Sequence, residues 1–267
     1  PPGSALVASL DRHLRDQKYP LSIINDRQFQ QSKQVLVGRA KLLREEEKGE
    51  RPNASNAVSK LEEEELWKEG KLGSDNPRTL CRTIWYILTQ HCGLRGRQEH
   101  HSMTVEGFKL CRDDRGVEYV IFNENPTKTR QGGLNTKRRQ VRPKMFATGG
   151  PRCPVGLFKE FLNRRPPELR ETGPFYLAII EKPKTAVWYK KQRLGVHTIN
   201  QMIKAIIEGT SMADSGKRLT NHSARKTVVK KLRAANVERQ SIIQITGHAS
   251  EQSLQDYDEG NEEEQRV

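Results

Sequence analysis

Between Phe108 and Arg142 this sequence stops repeating like a helix. Phe108-Lys-Leu-Cys-Arg112 is followed by the turn-forming Asp113-Asp-Arg-Gly116, and Glu118-Tyr-Val-Ile-Phe-Asn123 then resumes with β-branched and aromatic residues. So short a connection returns the chain antiparallel, because a parallel neighbour needs a crossover of about a dozen residues or more. A second loop, Pro126 to Asn135, leads to a third short strand expected around Gln140 to Arg142. The fold class is therefore α+β and mainly α, with one small three-stranded antiparallel sheet set into a helical chain.

The flanking segments carry the helical period. Residues 5–48 place Leu10 and Leu14, then Phe29, Val35, Leu36, Leu42 and Leu43, at helical spacing. A charged run from Glu45 to Glu50 and the turn-rich Arg51-Pro-Asn-Ala-Ser55 break the pattern. This divides the chain into a helical segment over 1–50, a linker over 51–57, a main domain over 58–257 and an acidic tail over 258–267. In the main domain, helices are expected from Ser59 to Trp67 and from Pro77 to Cys92. The second carries Leu80, Ile84, Ile87 and Leu88 on one side and ends at Gly93. Another starts at Pro154, with Leu157, Phe158, Phe161 and Leu162 as its apolar stripe, and Pro166-Pro167 closes it. Phe175 to Ile180 reads as a strand or an extended buried segment. Helices over 197–208, 220–235 and 238–245 follow, and a last one carries Tyr257.

Charge narrows the partners. The formal charge is +14, and it is clustered. Lys128, Arg130, Lys137, Arg138, Arg139, Arg142 and Lys144 fall between Pro126 and Lys144 without an acid, and a second acid-free block runs from Lys217 to Arg233. Two such blocks point to a polyanion, most simply nucleic acid. Cys81, Cys92, Cys111 and Cys153 form no C-x-x-C pair, which fits free thiols in a reducing compartment. His91-Cys92 and His100-His101 match no standard zinc spacing, and no apolar run reaches membrane-spanning length.

The chemistry concentrates in the last fifty residues. His222-Ser-Ala-Arg225 places an imidazole and a guanidinium three apart on one helix face; Gly247-His248 follows, and Tyr257 lies nine residues beyond His248. Arginine is a permanently charged planar fork suited to phosphate, histidine moves protons near neutral pH, and tyrosine is a possible nucleophile. Together they read as a site for attacking a phosphodiester. Their order and spacing closely resemble the catalytic signature of the tyrosine recombinases: Arg, Lys, His-x-x-Arg, Gly-His, Tyr.

The resemblance implies roles for single residues. Arg95, in Gly93-Leu-Arg-Gly-Arg-Gln-Glu99, matches the family's first arginine. Glu99 lies one residue further along than in the commonest version, which leaves Arg97 as a competitor. Lys128 matches the mobile lysine of the β-hairpin loop, with a plain phosphate-backbone contact as its alternative. Arg95 and Arg225 would clamp the phosphate oxygens and His248 would donate another hydrogen bond. His222 would take the proton of Tyr257, and Lys128 would protonate the departing 5′ oxygen. Such a reaction needs no cofactor and no metal. The implied DNA contacts are Arg130, Lys137, Arg138, Arg139, Arg142, Lys144, Lys226 and Lys230. Residues 1–50 would be the end of a helical DNA-clamping domain.

Leu66-Trp-Lys-Glu-Gly-Lys-Leu-Gly73, Leu94-Arg-Gly-Arg-Gln-Glu-His100 and Thr127-Lys-Thr-Arg-Gln-Gly132 resemble the Crypton group more specifically. Cryptons are eukaryotic DNA transposons, and several animal host proteins carry domains derived from them. The resemblance implies a nuclear protein that acts on double-stranded DNA and self-associates there. Its alternatives are a domesticated DNA-binding or chromatin-interaction module with vestigial catalysis, and a type IB topoisomerase relative.

Overall fold

In the computed structural model the described residues are 2–46, 54–123, 141–248 and Leu254. The chain divides into two compact units, 1–54 and 55–267. The first holds helices α1 (Pro2–Asp16) and α2 (Gln30–Glu45). Asp11 organises the turn between them: it pairs with Arg15, accepts the Ser22 hydroxyl at 2.9 Å and the Ile24 N–H at 3.3 Å. Those bonds to the charged form, led by Arg15, hold its carboxyl down at about 2.

The second unit carries the dense core. Helix α3 (Lys60–Lys68) starts in a capping box, with Ser59 and Glu62 satisfying each other's backbone N–H groups. Helix α4 (Pro77–Cys92) is the central element. Asn76 caps its first turn, and Leu80, Ile84, Trp85 and Leu88 are buried. A short helix α5 (Gln98–Ser102), which the sequence did not announce, leads to strands β1 (Phe108–Arg112) and β2 (Glu118–Phe122). Asp113 closes their hairpin by accepting the Arg115 and Val117 N–H groups at 3.0 and 2.9 Å. Strand β3 is Lys144–Phe146, and the sheet order β1-β2-β3 is antiparallel throughout. This strand follows Pro143; of the expected Gln140 to Arg142, Gln140 lies outside the described residues and Val141 and Arg142 are not in a strand. Proline has no N–H for the ladder, and Met145 is the residue that reaches the core.

Helix α6 (Pro154–Asn163) packs on α4 and on the sheet. Phe108, Phe122, Phe158, Phe161 and Phe175 form an aromatic cluster there. Strand β4 (Leu177–Ile179) pairs antiparallel with β5 (Tyr189–Arg193), so the middle of the Phe175 to Ile180 segment is strand. The expected helix over 197–208 is two pieces, α7 (Val196–Asn200) and α8 (Met202–Ile207), because Gln201 leaves helical geometry. Helices α9 (Asn221–Ala234) and α10 (Arg239–Thr246) complete the unit. The fold class is that expected from the sequence, α+β and mainly α with a small antiparallel sheet.

Candidate active site

Two glycines let three chain segments meet. Helix α4 ends at Gly93, whose backbone is left-handed (φ 59°, ψ 36°), and a Cβ there would stand 2.6 Å from Thr246 Cα. Three residues on, a Cβ at Gly96 would stand 2.3 Å from Asn221 Cβ. The Gly93–Gly96 turn therefore lies against the end of α10 on one side and the start of α9 on the other.

Side chains fasten the same turn. Arg225 is 3% exposed, and its guanidinium donates to the Gly93 carbonyl. Asn221 donates through Nδ2 to the Gly96 carbonyl at 2.6 Å and to the Ile199 carbonyl at 2.7 Å, while its Oδ1 accepts the Ile203 N–H at 3.1 Å. One amide joins the turn to α7, α8 and α9. Gln90 adds a bond from Nε2 to the Ala224 carbonyl at 2.9 Å. Sequence reasoning passed over Asn221, and its neighbour His222 was the only signal near it.

Arg95 sits in this turn. Its backbone N–H donates to Glu99 at 2.7 Å, and its guanidinium reaches the other Glu99 oxygen at 3.2 Å. An ion pair this open to water contributes at most about 1 kcal/mol, so its value is orientation. Arg97, the competitor, is exposed at the N-cap of α5. Helix α5 is anchored by His100, whose ring lies fully buried between Thr89 (2.9 Å) and Tyr176 (2.9 Å).

The His-x-x-Arg pair divides between surface and interior. Helix α9 starts with Thr220 capping, then presents His222 outward while Arg225 turns under the Gly93 carbonyl. His248 follows α10 and is 8% exposed, with Nδ1 2.5 Å from the Thr246 hydroxyl. So Arg95, Arg225 and His248 belong to segments that meet at one turn, and His222 lies on the same helix as Arg225. Lys128, Arg130, Lys137, Arg138, Arg139 and Tyr257 lie outside the described residues.

The second basic block is not one exposed surface. Lys217 and Lys231 pair with Glu62 and Glu63 of α3 at 2.6 and 2.5 Å. Lys226 differs from its expected place at DNA: it is 3% exposed and donates to the Ser55 carbonyl at 3.0 Å. Thr227 receives the Val58 N–H at 2.8 Å, so residues 55–58 are stitched along α9. Lys230, Arg142 and Lys144 are exposed, and Lys144 lies 4.9 Å over the Tyr119 ring.

A family model described as a domain of unknown function, DUF3504, matches residues 57–208. The chain belongs to that family. The matched segment of this DUF3504 chain includes the Arg95 turn and ends before α9. Among curated relatives, the uncharacterized protein KIAA1958 of Homo sapiens is 26% identical over 149 residues, 53% of this chain and 20% of that protein. Zinc finger MYM-type protein 2 of Homo sapiens is 27% identical over 168 residues, 56% of this chain and 12% of that protein. The chain thus spans about a fifth and about an eighth of these relatives. Among solved structures, XerA recombinase superposes with a TM-score of 0.51 at 16% identity, over 97% of this chain and 79% of that one. The DUF3504 chain has the fold of a tyrosine recombinase. No helix among the described residues is long and apolar enough to cross a membrane.

Proposed function

We propose that this chain is a DNA strand-cleaving and rejoining domain of the tyrosine-recombinase type, of Crypton ancestry. Residues 58–257 form its catalytic domain, preceded by the end of a DNA clamp. The observation that carries the reading is the Gly93–Gly96 turn, where the segment bearing Arg95 is fastened by Arg225 and packed against Thr246, two residues before His248. A phosphodiester carries negative charge on its non-bridging oxygens, and that charge grows as a nucleophile adds. Fixed cations gain most where water is excluded. Arg95, held by Glu99, is the better first arginine than exposed Arg97.

In this reading the Tyr257 oxygen bonds to phosphorus and the bond to the 5′ oxygen breaks. The phenolic proton passes to His222 and Lys128 supplies one to the leaving 5′ hydroxyl. A free phenol has a pKa of about 10, so it attacks slowly at neutral pH without such an acceptor. The 3′-phosphotyrosyl link keeps the energy of the ester, and rejoining reverses the step on another strand. Double-stranded DNA lies along Arg130, Lys137, Arg138, Arg139, Arg142, Lys144 and Lys230, with copies of the chain associating on it in the nucleus. Lys226 supports α9 from inside instead.

A second reading, a domesticated DNA-binding or chromatin-interaction module without catalysis, is favoured by one finding. The chain corresponds to a small share of KIAA1958 and of the MYM-type zinc finger protein. The two separate on a nicked duplex carrying the protein's own selected site. A covalent adduct that disappears in Tyr257→Phe supports cleavage, and retained binding with no adduct supports the module.

A further inference from the structure

Helix α10 closes on Thr246-Gly247-His248 with its backbone fixed. Gly247 is left-handed (φ 67°, ψ 34°), and the Gly247 and His248 N–H groups both reach the Ile243 carbonyl, at 2.8 and 3.2 Å. Thr246 is 1% exposed, and its backbone lies against Gly93. Its Oγ1 is 2.6 Å from the Ile242 carbonyl oxygen and 2.5 Å from His248 Nδ1. A hydroxyl has one hydrogen, and a carbonyl oxygen can only accept. The hydroxyl hydrogen therefore belongs to Ile242, and Oγ1 meets Nδ1 as an acceptor. Nδ1 must carry a hydrogen.

We propose that Thr246 is a positioning residue that holds His248 as its Nδ1–H form, making Nε2 a proton acceptor in the neutral ring and a donor only in the imidazolium. The proposal takes its functional meaning from the phosphodiester-cleaving reading, although its geometry stands apart from it. It refines the role drawn from the sequence, in which His248 donates a hydrogen bond to a phosphate oxygen, by fixing which form of the ring can donate. In the neutral Nδ1–H form, Nε2 would turn a lone pair toward an anionic oxygen, which repels. The contact that favours the transition state is made by the imidazolium, a third positive charge beside Arg95 and Arg225. Moving the hydrogen to Nε2 in the neutral ring would turn the Thr246 hydroxyl toward Nδ1, leaving Oγ1 and the Ile242 carbonyl oxygen 2.6 Å apart with no hydrogen between them.

Ring nitrogen NMR on the 267-residue chain with labelled histidine, assigned by the signal missing in His248→Gln, tests this directly. At a pH where the ring is neutral, Nδ1 should resonate as protonated and Nε2 as bare. Thr246→Val keeps the shape and removes the acceptor, and should lose the preference, whereas Thr246→Ser should keep it. Adduct formation should fall roughly tenfold in Thr246→Val and recover in Thr246→Ser, as expected for the loss of a ring-orienting partner. Protonated Nε2 in the neutral ring of the unmodified chain overturns the proposal. So does an unchanged preference in Thr246→Val. Failure of the unmodified chain to form any adduct would instead remove the cleavage reading, with the ring assignment still decided by its own spectrum.

Discussion

Two buried histidines, His100 and His248, are held by the same device and sit in different surroundings. Thr89 meets His100 Nε2 at 2.9 Å, and Thr246 meets His248 Nδ1 at 2.5 Å. Each threonine hydroxyl donates to the carbonyl four residues back, Trp85 or Ile242, so each accepts a ring N–H. The other nitrogen of His100 lies 2.9 Å from the Tyr176 hydroxyl, and the ring tilts against Trp85 and Tyr176 in the core. Both of its nitrogens are spent on the fold. His248 stands instead at a helix end, two residues past the contact between Thr246 and Gly93. A threonine anchor and burial thus mark a fixed histidine. Where the fixed ring stands decides whether it can take part in chemistry.

The strongest way to break that contrast is to remove each ring. His100→Leu should lose about 2–4 kcal/mol of stability, since it strands the Tyr176 hydroxyl in the core and repacks badly. His248→Leu should lose less than about 1.5 kcal/mol, yet abolish most adduct. Urea midpoints at unchanged slope give the first number for each. Acid sharpens the same contrast. Burial pushes the His100 pKa from 6.5 down to about 3, and that of His91 down to about 4, with the Lys231 charge adding to the latter. The unfolded chain therefore takes up these protons first. Stability is complete above pH 6.5 and is lost as pH falls toward 3, by about 2 kcal/mol per histidine at pH 5. The acid-side slope in His100→Leu should flatten by one proton. A slope unchanged by that substitution would mean that His100 is not the buried neutral ring described.

A smaller effect on stability, with a clear effect on chemistry, is expected at Gly96. An added methyl would come 2.3 Å from Asn221 Cβ, so Gly96→Ala must move the Arg95 turn away from α9. The expected cost is about 1–3 kcal/mol from overpacking, with a roughly hundredfold loss of adduct from misplacing the arginine proposed to clamp the phosphate. An adduct yield equal to that of the unmodified chain would separate Gly96 from the site.

What the sequence made legible follows from how each feature is held. The β1–β2 hairpin, α4 and α9 announce themselves because periodic apolar residues and local caps, Asn76 and Gly93 among them, act within a few residues of the chain. Strand β5 gave no such signal: Tyr189 is its one buried residue, and pairing with β4 holds the exposed Lys190 to Arg193. Arg165 reads as a surface cation, yet it is fully buried and donates to the Leu169, Pro174 and Phe175 carbonyls. At the site, residue types and order were readable. That Arg225 would be buried while His222 stays exposed was not, because Arg225 is held by the Gly93 carbonyl, contributed by a segment 132 residues away. Gly93-Leu-Arg-Gly96 held the one available hint, since paired glycines suggest close backbone approach.

The smallest expected effect carries the question of what a polar group's other end is bonded to into the basic residues. Lys217 and Lys231 are already paired with Glu62 and Glu63, whereas Arg142, just before β3, and Lys144, its first residue, are exposed. A cation that neutralises a DNA phosphate releases counterions and contributes about −0.9 to the slope of log K against log salt. A cation neutralised by glutamate has little left to release. Arg142→Ala with Lys144→Ala should therefore shallow the slope by nearly two units if both meet phosphate. Lys217→Ala with Lys231→Ala should change it by well under one unit, and stability by about 1 kcal/mol or less. Titration of the unmodified chain and both double variants on one duplex, across a salt series, measures all three slopes. A steep loss from the Lys217 and Lys231 pair would show that α3 releases its lysines on DNA. The acidic helix would then be a competitor for the phosphate backbone rather than a fixed brace.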